Sequence, residues 1–512
     1  MTAKSPQKIM LAIFSGLALT ASFTPLQLDW IAWFALVPLL KSLKDESFSH
    51  AFSLGFIAGL THYLTLLYWI IPTLQNYGYL HFSVSASVLI IFCLYLALYM
   101  ALFSYLIHRI KNSCFLYVLI PSLWVSLELI RANALTGFPW CLIGHTQFSR
   151  LSLIQVADLV GVYGISFLII FSNALIYRLF FARTSFIKRR LGWESLVFTA
   201  LLLFTLVYGQ YRLEEDPDAS TAKKTVKVSV IQGNIDQSVK WEPAFQEETI
   251  HIYERLTRST SSFKPDITVW PETAVPFFFQ EDQPFSDQIL EIASETSQTL
   301  IFGSPAYQRG QDGRKYFNRV YLLSGSGKKT EYYDKHHLVP FGEYVPLKRI
   351  LPFIHRLVQA AGDFAPGKEL KPLGPPHLSS GILICYEVIF PELARTQTRE
   401  GAELLVNLTN DAWYGKTSAP YQHLSIAVFR AVENRRPLIR AANTGFSALI
   451  DSKGKIIERS GLFTEQVLSR EIELPPSSMG VYTRYGDLFP FALLVICLIK
   501  FFHLLWYTKR KT

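Results

Sequence analysis

Cysteine is scarce in this chain of 512 residues, where it occurs only five times. The five are Cys93, Cys114, Cys141, Cys385 and Cys497. Four of them lie in or beside apolar segments and Cys385 has no cysteine neighbour, so the spacing supports neither a disulfide framework nor a metal-ligand set. Internal repeats, low-complexity tracts and a glycine-rich phosphate-binding motif are also absent from the sequence.

Charge is sparse as well, and it is unevenly distributed. Charged residues make up 17% of the chain and hydrophobic residues 50%, and the mean hydropathy is +0.23, which predicts membrane segments. Between Gln210 and Gly486, 32 lysines and arginines face 33 acidic residues, whereas the remainder has 17 against 7. The net charge of +9 therefore belongs to the hydrophobic part, and a nucleic-acid-binding surface on the polar part is not supported.

Eight apolar segments are each close to the roughly 20 residues that a helix needs to cross a bilayer. They are Ile9–Thr24, Leu26–Leu43, Ala51–Ile71, Phe82–His108, Cys114–Ile130, Ile154–Tyr177, Gly192–Gly209 and Leu488–Tyr507. The first could also be a signal peptide, but the second follows it almost at once. We therefore predict a membrane domain of seven transmembrane helices at 1–210 and an eighth helix at 487–508.

The distribution of lysine and arginine in the short connections predicts the orientation. One side carries Lys4, Lys8, Lys41, Lys44, Arg109, Lys111, Arg178, Arg183, Lys188, Arg189, Arg190, Lys500, Lys509, Arg510 and Lys511, and the other only Arg131 and Arg150. Both termini are therefore predicted to be cytoplasmic, with the region between the last two helices outside. Four charged residues lie near the outer helix ends: Asp29, Glu128, Arg131 and Asp158. Charged residues within membrane segments can mark functional sites, but at this depth most are expected to be solvated.

The region at 224–475 has the sequence pattern of one α/β domain, and it is large enough to bury its own core. Short apolar runs predict strands at Val226–Ile231, Ile267–Trp270, Leu300–Phe302, Val320–Leu323, Ile382–Ile384, Leu404–Asn407, Leu438–Ala441 and Ala448–Ile450. Proline-initiated stretches predict helices at Pro243–Ser262, Pro284–Ser297, Pro391–Glu400 and Pro420–Asn434.

Three residues of this domain form a possible catalytic set. Cys385 ends an apolar strand, Glu272 follows another strand between tryptophan and prolines, and Lys335 lies among aromatic residues. Each one alone is more often structural, and a free cysteine is commonly a small buried apolar residue. Together they could work as a base that takes the thiol proton, a nucleophile and a cation that stabilises an oxyanion.

Two further segments of this domain each allow two interpretations. The apolar stretch Val275–Phe279 could line an apolar channel or dip into lipid, or it could form a packed core turn. The segment Asp411–Gly415 could form a wall of the site or a plain turn. The adjacent His336 and His337 cannot both face one site, so we interpret them as loop or surface residues.

The sequence resembles the nitrilase superfamily at three signatures. These are WPETAVP at 270–276, YDKHHLVPFGEYVP at 333–346 and ICYEVIFPE at 384–392. Their detailed form within an eight-helix frame is similar to the apolipoprotein N-acyltransferase family. The similarity extends to TGFPW at 136–140, QGNIDQSVKW at 232–241, NLTNDAWYG at 407–415 and the segment 430–445.

The resemblance implies a nitrilase-like α-β-β-α sandwich attached to a multi-span helical membrane domain. It assigns Cys385 as the nucleophile, Glu272 as the general base and Lys335 as the oxyanion-stabilising cation. Four further positions match residues with supporting or substrate-positioning roles: Glu343, Glu387, Tyr386 and Trp241.

The same resemblance implies a two-step acyl transfer at the bacterial inner membrane. The donor would be a phospholipid, the intermediate a thioester on Cys385, and the acceptor the N-terminal amine of a diacylglyceryl-cysteine on an apolipoprotein. The catalytic domain would face the periplasm, the enzyme would be a monomer, and no cofactor or metal is implied.

Two other classes of protein share parts of this pattern. A membrane-tethered nitrilase-type amidase would use the same three residues, although eight helices exceed what a tether needs. A receptor or transporter with a decayed domain would not require all three catalytic residues. In addition, the predicted helices carry no charged pair at mid-bilayer to support a transport path.

Overall fold

The computed structural model describes the chain except residues 1–5, 111–115, 182–184, 216–223, 239, 282–283, 312, 327–329, 345–362, 375–377, 477–478 and 510–512. Cys114 therefore lies outside the described residues. The chain divides into two compact units. A helical unit comprises Met1–Ile71, His81–Glu214 and Tyr485–Thr512, and an α/β unit comprises Pro72–Leu80 and Glu215–Arg484.

The described helices, numbered in chain order, are α1 Pro6–Ala21, α2 Val37–Ser42, α3 Phe48–Leu66, α4 Ile70–Asn76, α5 Phe82–Ile110, α6 Leu116–Asn133, α7 Leu151–Ile154, α8 Ala157–Val160, α9 Val162–Phe181, α10 Ser185–Glu214, α11 Pro243–Ser259, α12 Pro284–Thr296, α13 Pro391–Arg399, α14 Ala419–Asn434, α15 Val481–Tyr485 and α16 Leu488–Lys509. The strands are β1 Thr225–Gln232, β2 Ile267–Val269, β3 Thr299–Gly310, β4 Gly313–Leu323, β5 Thr330–Asp334, β6 Ser380–Ile384, β7 Leu404–Thr409, β8 Leu438–Ala442, β9 Ala448–Ile450, β10 Ile456–Arg459 and β11 Gln466–Glu473.

The described part of the helical unit does not confirm the count of eight membrane-crossing helices. Within the described residues, α5, α9 and the Leu191–Glu214 part of α10 are long and apolar enough to cross a membrane, and the bent pair α3–α4 could add a fourth. The predicted segment Leu26–Leu43 is not one helix, because a 3-10 turn at Asp29–Trp33 precedes α2. Pro38 lies in the first turn of α2, where proline commonly begins a helix.

The four charged side chains that we expected to be solvated are buried instead, with exposures of 2–5%. Each has polar partners, as a buried charge requires. Asp29 accepts hydrogen bonds from Arg150 Nε at 2.5 Å and Nη2 at 3.0 Å. Glu128 accepts from Trp124 and the Ile143 amide, Arg131 donates to the Trp140 carbonyl, and Asp158 accepts from Tyr208. Hence the expectation of solvation was wrong, because it considered only position along each helix.

Apolar side chains cover the outside of the helical unit. Leu135 is 87% exposed, Phe180 76% and Val207 67%. Large apolar side chains on the outside suit contact with lipid rather than water. The composition and surface of this unit are those of a membrane protein.

The α/β unit contains two sheets. The first has the strand order β11-β1-β2-β3-β4-β5 and the second β10-β9-β8-β7-β6. The β1–β2–β3 and β6–β7–β8 neighbours are parallel, and the outer strands are antiparallel. The carboxyl ends of the parallel strands supply loops in which polar residues can be held by a rigid scaffold.

The two sheets pack face to face through one apolar cluster. It contains Val228 and Ile267 from the first sheet and Ile382 and Val406 from the second, so alternate side chains of each sheet meet in the interior. Helices α11 and α12 cover the outer face of the first sheet, and α13 and α14 cover that of the second. This is the α-β-β-α sandwich that the resemblance implied.

The prediction located the buried strands and missed the polar ones. Each of the eight predicted strand segments overlaps a strand of the two sheets, with only Trp270 lying beyond its strand, and each of the four predicted helices overlaps an observed helix. Strands β5, β10 and β11 were not predicted. In β11 only Leu468 and Ile472 are buried, because one face of an edge strand meets solvent and no continuous apolar run remains.

Candidate active site

Cys385 lies at a sharp turn between a strand and a helical segment. It directly follows β6, begins the 3-10 turn Cys385–Ile389, and has a φ of +50°. A non-glycine residue in this region is strained and persists only where its surroundings hold it. Asn407 Nδ2 donates to the Cys385 carbonyl at 3.4 Å, and the sulfur-bearing residue is 7% exposed. The scaffold therefore presents a single thiol in a fixed orientation.

Glu272 follows β2 in a segment that lies directly against β3. Gly303 of β3 makes this approach possible, because a Cβ there would meet the Thr273 nitrogen at 2.3 Å. Asn318 Nδ2 donates to Glu272 Oε1 at 2.8 Å, and the Asn410 amide donates to Oε2 at 2.9 Å. Each oxygen of the carboxylate thus has a fixed donor.

Lys335 follows β5 and is the cation of the cluster. Its side chain is 1% exposed, and its Nζ lies 2.9 Å from Glu343 Oε1 and 3.6 Å from Glu272 Oε1. Glu343 also accepts hydrogen bonds from Asn318 Nδ2 at 2.9 Å and from the Val339 amide at 2.8 Å. One ammonium group is therefore held between two carboxylates, and Asn318 bridges both.

The charges in this cluster determine the protonation of the thiol and the ammonium group. Burial by itself lowers the pKa of Lys335, but the charges of Glu343, Glu272 and Cys385 raise it above its ordinary value. Burial and then the charge of Glu272 raise the pKa of the Cys385 thiol, against the opposing effect of Lys335. The resting site thus combines an ammonium with a protonated thiol that needs a base before it can attack.

Glu387 connects the cysteine turn to the lysine loop. Its Oε1 accepts hydrogen bonds from the His336 amide at 2.7 Å, the His337 amide at 3.0 Å and the Tyr333 hydroxyl at 3.0 Å. Its Oε2 accepts from the Ile384 amide at 2.7 Å. Burial raises the pKa of Glu387 to about 7, and the backbone donors and Lys335 act in the opposite direction. The two histidines serve this loop through their backbone rather than through a shared ring site.

The other two predicted positions differ in their surroundings. Tyr386 is 8% exposed and packs edge-on against Phe390, with the ring centroids 5.2 Å apart. Trp241 is 47% exposed and precedes α11 in the segment that also carries Lys240. Tyr386 thus borders the nucleophile from the buried side, whereas Trp241 has a large apolar surface available for contact.

A buried ionic network next to the cysteine turn was not predicted. Arg440 Nη2 donates to Asp411 Oδ2 at 2.7 Å, and Arg440 Nη1 donates to Asn407. His423 Nδ1 lies 3.1 Å from Asp411 Oδ1. Burial by itself raises the pKa of Asp411, but the charge of Arg440 and the contacts of His423 hold it well below its usual range. The segment that begins at Asp411 is therefore held in place by a buried ion pair beside the cysteine turn.

Lys240 is a second buried cation that the sequence analysis missed. Its Nζ lies 3.0 Å from Thr273 Oγ1 and 3.4 Å from the Glu272 carbonyl, and its side chain is fully buried. Burial lowers its pKa to about 8, and the Glu272 charge opposes this. The sequence did contain a signal for Lys240, because it lies directly before Trp241 in the segment 232–241 that resembles the family.

The apolar stretch that follows the base belongs to the core. Val275, Phe277 and Phe279 are 0–9% exposed and pack in the cluster under α11 and α12. Phe278 contacts Tyr307 with a ring separation of 5.1 Å. Of the two interpretations of this stretch, the packed turn is the correct one.

The described residues contain no group of three histidine, cysteine, aspartate or glutamate side chains with metal-site geometry. The chemistry that the cluster itself can perform is nucleophilic attack by a thiol, assisted by a carboxylate and an ammonium group.

Comparison with known proteins is consistent with both units. Residues 15–175 match the family model of the apolipoprotein N-acyltransferase N-terminal domain, and residues 227–477 match that of carbon-nitrogen hydrolase. Among solved structures, a carbon-nitrogen hydrolase from Helicobacter pylori G27 aligns with 18% identity and a TM-score of 0.39, covering 52% of this chain and 94% of that one.

Full-length relatives are also similar. The apolipoprotein N-acyltransferase of Geobacter metallireducens is 45% identical over 94% of this chain and 92% of its own length. That of Pasteurella multocida is 32% identical over 93% and 92%, and that of Rickettsia prowazekii is 32% identical over 97% of each chain. With these similarities along nearly its whole length, the chain belongs to the apolipoprotein N-acyltransferase family.

Proposed function

We propose that this enzyme moves an acyl chain from a phospholipid to the N-terminal amine of diacylglyceryl-cysteine on an apolipoprotein, the last step of lipoprotein maturation. The observation that carries the proposal is the buried cluster of Glu272, Lys335 and Cys385. It occurs in a chain whose other unit consists largely of apolar helices, and both substrates carry lipid chains. A hydrolase of small amides would not need an N-terminal domain of the kind that residues 15–175 match.

In the first half-reaction, Glu272 takes the thiol proton and the Cys385 sulfur attacks the ester carbonyl of the phospholipid. The Lys335 ammonium stabilises the negative charge that develops on the carbonyl oxygen. The tetrahedral intermediate then releases the lysophospholipid, whose oxygen receives the proton from Glu272. A thioester remains on Cys385.

In the second half-reaction the amine of the acceptor attacks the thioester. Glu272 takes a proton from the attacking nitrogen, Lys335 again faces the developing oxyanion, and the Cys385 thiolate leaves and recovers a proton. Glu343 and Asn318 keep Lys335 and Glu272 in place through the hydrogen bonds described above. Glu387 and Tyr386 hold the loops around the sulfur, and Trp241 offers an exposed apolar surface to a lipid substrate.

The enzyme is proposed to act as a monomer in the inner membrane, with eight crossings. The domains would be the membrane domain at 1–210, the periplasmic catalytic domain at 224–475 and the last helix at 487–508, with both termini cytoplasmic. The charge asymmetry of the connections supports this orientation. In spheroplasts, Lys371→Cys should react with a membrane-impermeant maleimide, whereas Arg109→Cys should react only after permeabilisation. Labelling in the reverse order would contradict the orientation.

The direct test of the reaction uses the full chain in detergent and a phospholipid labelled in its acyl chain. Mass spectrometry should find the label on the Cys385 peptide and lose it when a diacylglyceryl peptide amine is added. Cys385→Ala should form no thioester, and the matched variant Cys93→Ala, at a buried cysteine of α5, should form it normally. A labelled parent that releases its acyl chain only to water would refute the acyltransferase assignment.

A further inference from the structure

Thr409 lies beside the nucleophile but has no role in the reaction as described so far. It is the last residue of β7, and the parallel register pairs Ile384 with Leu408, so the next positions on the two strands are Cys385 and Thr409. Thr409 is fully buried. Its hydroxyl lowers the pKa of the neighbouring Cys385 thiol and donates to Asp411 Oδ1 at 2.9 Å. A single hydroxyl hydrogen thus has two possible acceptors.

Which acceptor is favoured depends on the charge of the sulfur. A protonated thiol is a weak acceptor, so in the resting site the hydroxyl donates to the Asp411 carboxylate. A thiolate is a buried anion and attracts a donor strongly, since a hydrogen bond to an ionised group is roughly twice as strong as a neutral one. Rotation of the hydroxyl alone, with no movement of the strand, would transfer the hydrogen bond.

Asp411 keeps its ion pair with Arg440 when it loses this donor. Its Oδ2 accepts from Arg440 Nη2 at 2.7 Å, and its Oδ1 lies 3.1 Å from His423 Nδ1. Gly445 leaves room for this carboxylate, because a Cβ there would meet Oδ2 at 2.4 Å. The carboxylate therefore remains ionised and in place while the Thr409 hydroxyl turns away.

We propose that Thr409 is a further catalytic residue, whose hydroxyl hydrogen turns from Asp411 to the Cys385 sulfur when the thiol gives its proton to Glu272. No bond to the Thr409 oxygen is broken. The hydroxyl turns back to Asp411 when the sulfur becomes a neutral thioester, and it turns to the sulfur again when the thiolate leaves. Its place in the cycle rests on the proposed function, whereas its effect on the thiolate does not.

The alternative is that Thr409 only fills space in the interior. Valine has nearly the same shape and no hydroxyl, so Thr409→Val separates packing from hydrogen bonding. Thr409→Ser keeps the hydroxyl, and Thr409→Ala removes it without the risk of overpacking. The control is Thr268→Val, at a fully buried threonine of β2 whose hydroxyl bonds Gln298.

The test measures how the alkylation of Cys385 by iodoacetamide depends on pH, using the full chain in detergent and mass spectrometry of the Cys385 peptide. Glu272, Lys335, Asp411 and Tyr414 interact electrostatically with the sulfur and are the same in every variant. Loss of the hydroxyl should raise the apparent pKa of Cys385 by about one unit or more, and should slow thioester formation about tenfold to a hundredfold. Serine should restore both quantities, and Thr268→Val should change neither.

The outcomes separate the two proposals. If the Val and Ala variants titrate like the parent, Thr409 does not donate to the sulfur and the inference fails, whatever the enzyme acylates. Should Val fail to fold, the Ala and Ser variants decide between the same alternatives. If the pKa shifts as expected but even the parent forms no thioester, the role of Thr409 stands and the proposed acyl transfer fails.

Discussion

The two sheets of the α/β unit contribute to the site in different ways. The first sheet supplies Glu272 and Lys335, whose oxygen and nitrogen atoms are held by the Asn318 amide group, a backbone N–H and each other. The second sheet supplies Cys385 on a strained turn, next to the fully buried Asp411 and Arg440.

This difference follows from what each side does in the reaction. The groups of the first sheet exchange protons or face a developing charge, so they need neighbours that tolerate a change of charge. The second sheet must keep a residue with positive φ in place, and a fixed ion pair with several hydrogen bonds can do so. We therefore expect substitutions of Glu272 and Lys335 to change the chemistry, and substitutions in the buried Asp411–Arg440 ion pair to change stability.

The largest expected effect is on the chemistry of the first sheet. Glu272→Gln should slow thioester formation about 10²- to 10⁴-fold, because the thiol loses its base. The same change removes a negative charge that raises the pKa of Cys385, so alkylation of the thiol at neutral pH should become faster. Acylation and alkylation would thus change in opposite directions in one variant.

Lys335→Met should instead slow both reactions. Acylation loses the cation that stabilises the oxyanion, and alkylation slows because the ammonium that lowers the pKa of Cys385 is gone. Lys315→Met, at an exposed position of β4, is the control and should change neither rate. Unchanged or faster alkylation in Lys335→Met would mean that the ammonium group does not stabilise the thiolate, and the division of roles would be wrong.

A large effect on stability is expected from the second sheet. Asp411→Asn would leave Arg440 charged and fully buried without its carboxylate, which costs about 3–5 kcal/mol. Thermal unfolding of the purified chain should show a clear fall in the midpoint. The control, Glu465→Gln, removes the carboxylate of an exposed pair with Arg255, and such pairs contribute at most about 1 kcal/mol. Equal effects of the two variants would remove the distinction between the sheets.

The sequence predicted those site residues that lie directly after the end of a strand. Cys385, Glu272 and Lys335 each come directly after an apolar run or an aromatic cluster, which local pattern can detect. Asn318 could not be found in this way, because it lies within β4 and reaches both carboxylates only through the pairing of β4 with β3 and β5. Side-chain neighbours that depend on strand register are not visible in a single sequence.

One missed residue did have a signal. Arg440 lies inside the predicted buried strand Leu438–Ala441, and a charged residue in a fully buried strand requires a partner. Reading that conflict as evidence would have predicted a buried anion nearby, which is Asp411. In the helical unit, charged residues were wrongly expected to be solvated because only their position along a helix was considered. The partners of Asp29 and Asp158 could not be recognised, since they are distant in sequence; they are Arg150 and Arg212.

The smallest expected effect is a pH dependence of the free energy of unfolding, which arises from the buried Lys240 beside Glu272. The pKa of Lys240 in the folded chain is about 8, below the ordinary value of 10.5, so between these values the unfolded chain binds more protons than the folded chain. Stability from this group therefore rises as pH increases through that window. From pH 7 to 9 the parent should gain about 1 kcal/mol relative to Lys240→Met, which has no such group.

The measurement is the difference in unfolding midpoint between the parent and Lys240→Met at pH 6, 7, 8 and 9. Taking the difference removes the titration of all groups common to both chains. A difference that shifts in favour of the parent above pH 7 would place a titrating cation beside Glu272, whereas Asp411, whose pKa is held well below its usual range, keeps its charge over the same range. A difference that is constant with pH would mean that Lys240 remains charged in the folded chain. Among the groups of the first sheet, only the reacting Glu272 and Lys335 would then differ from the ion pair of the second sheet.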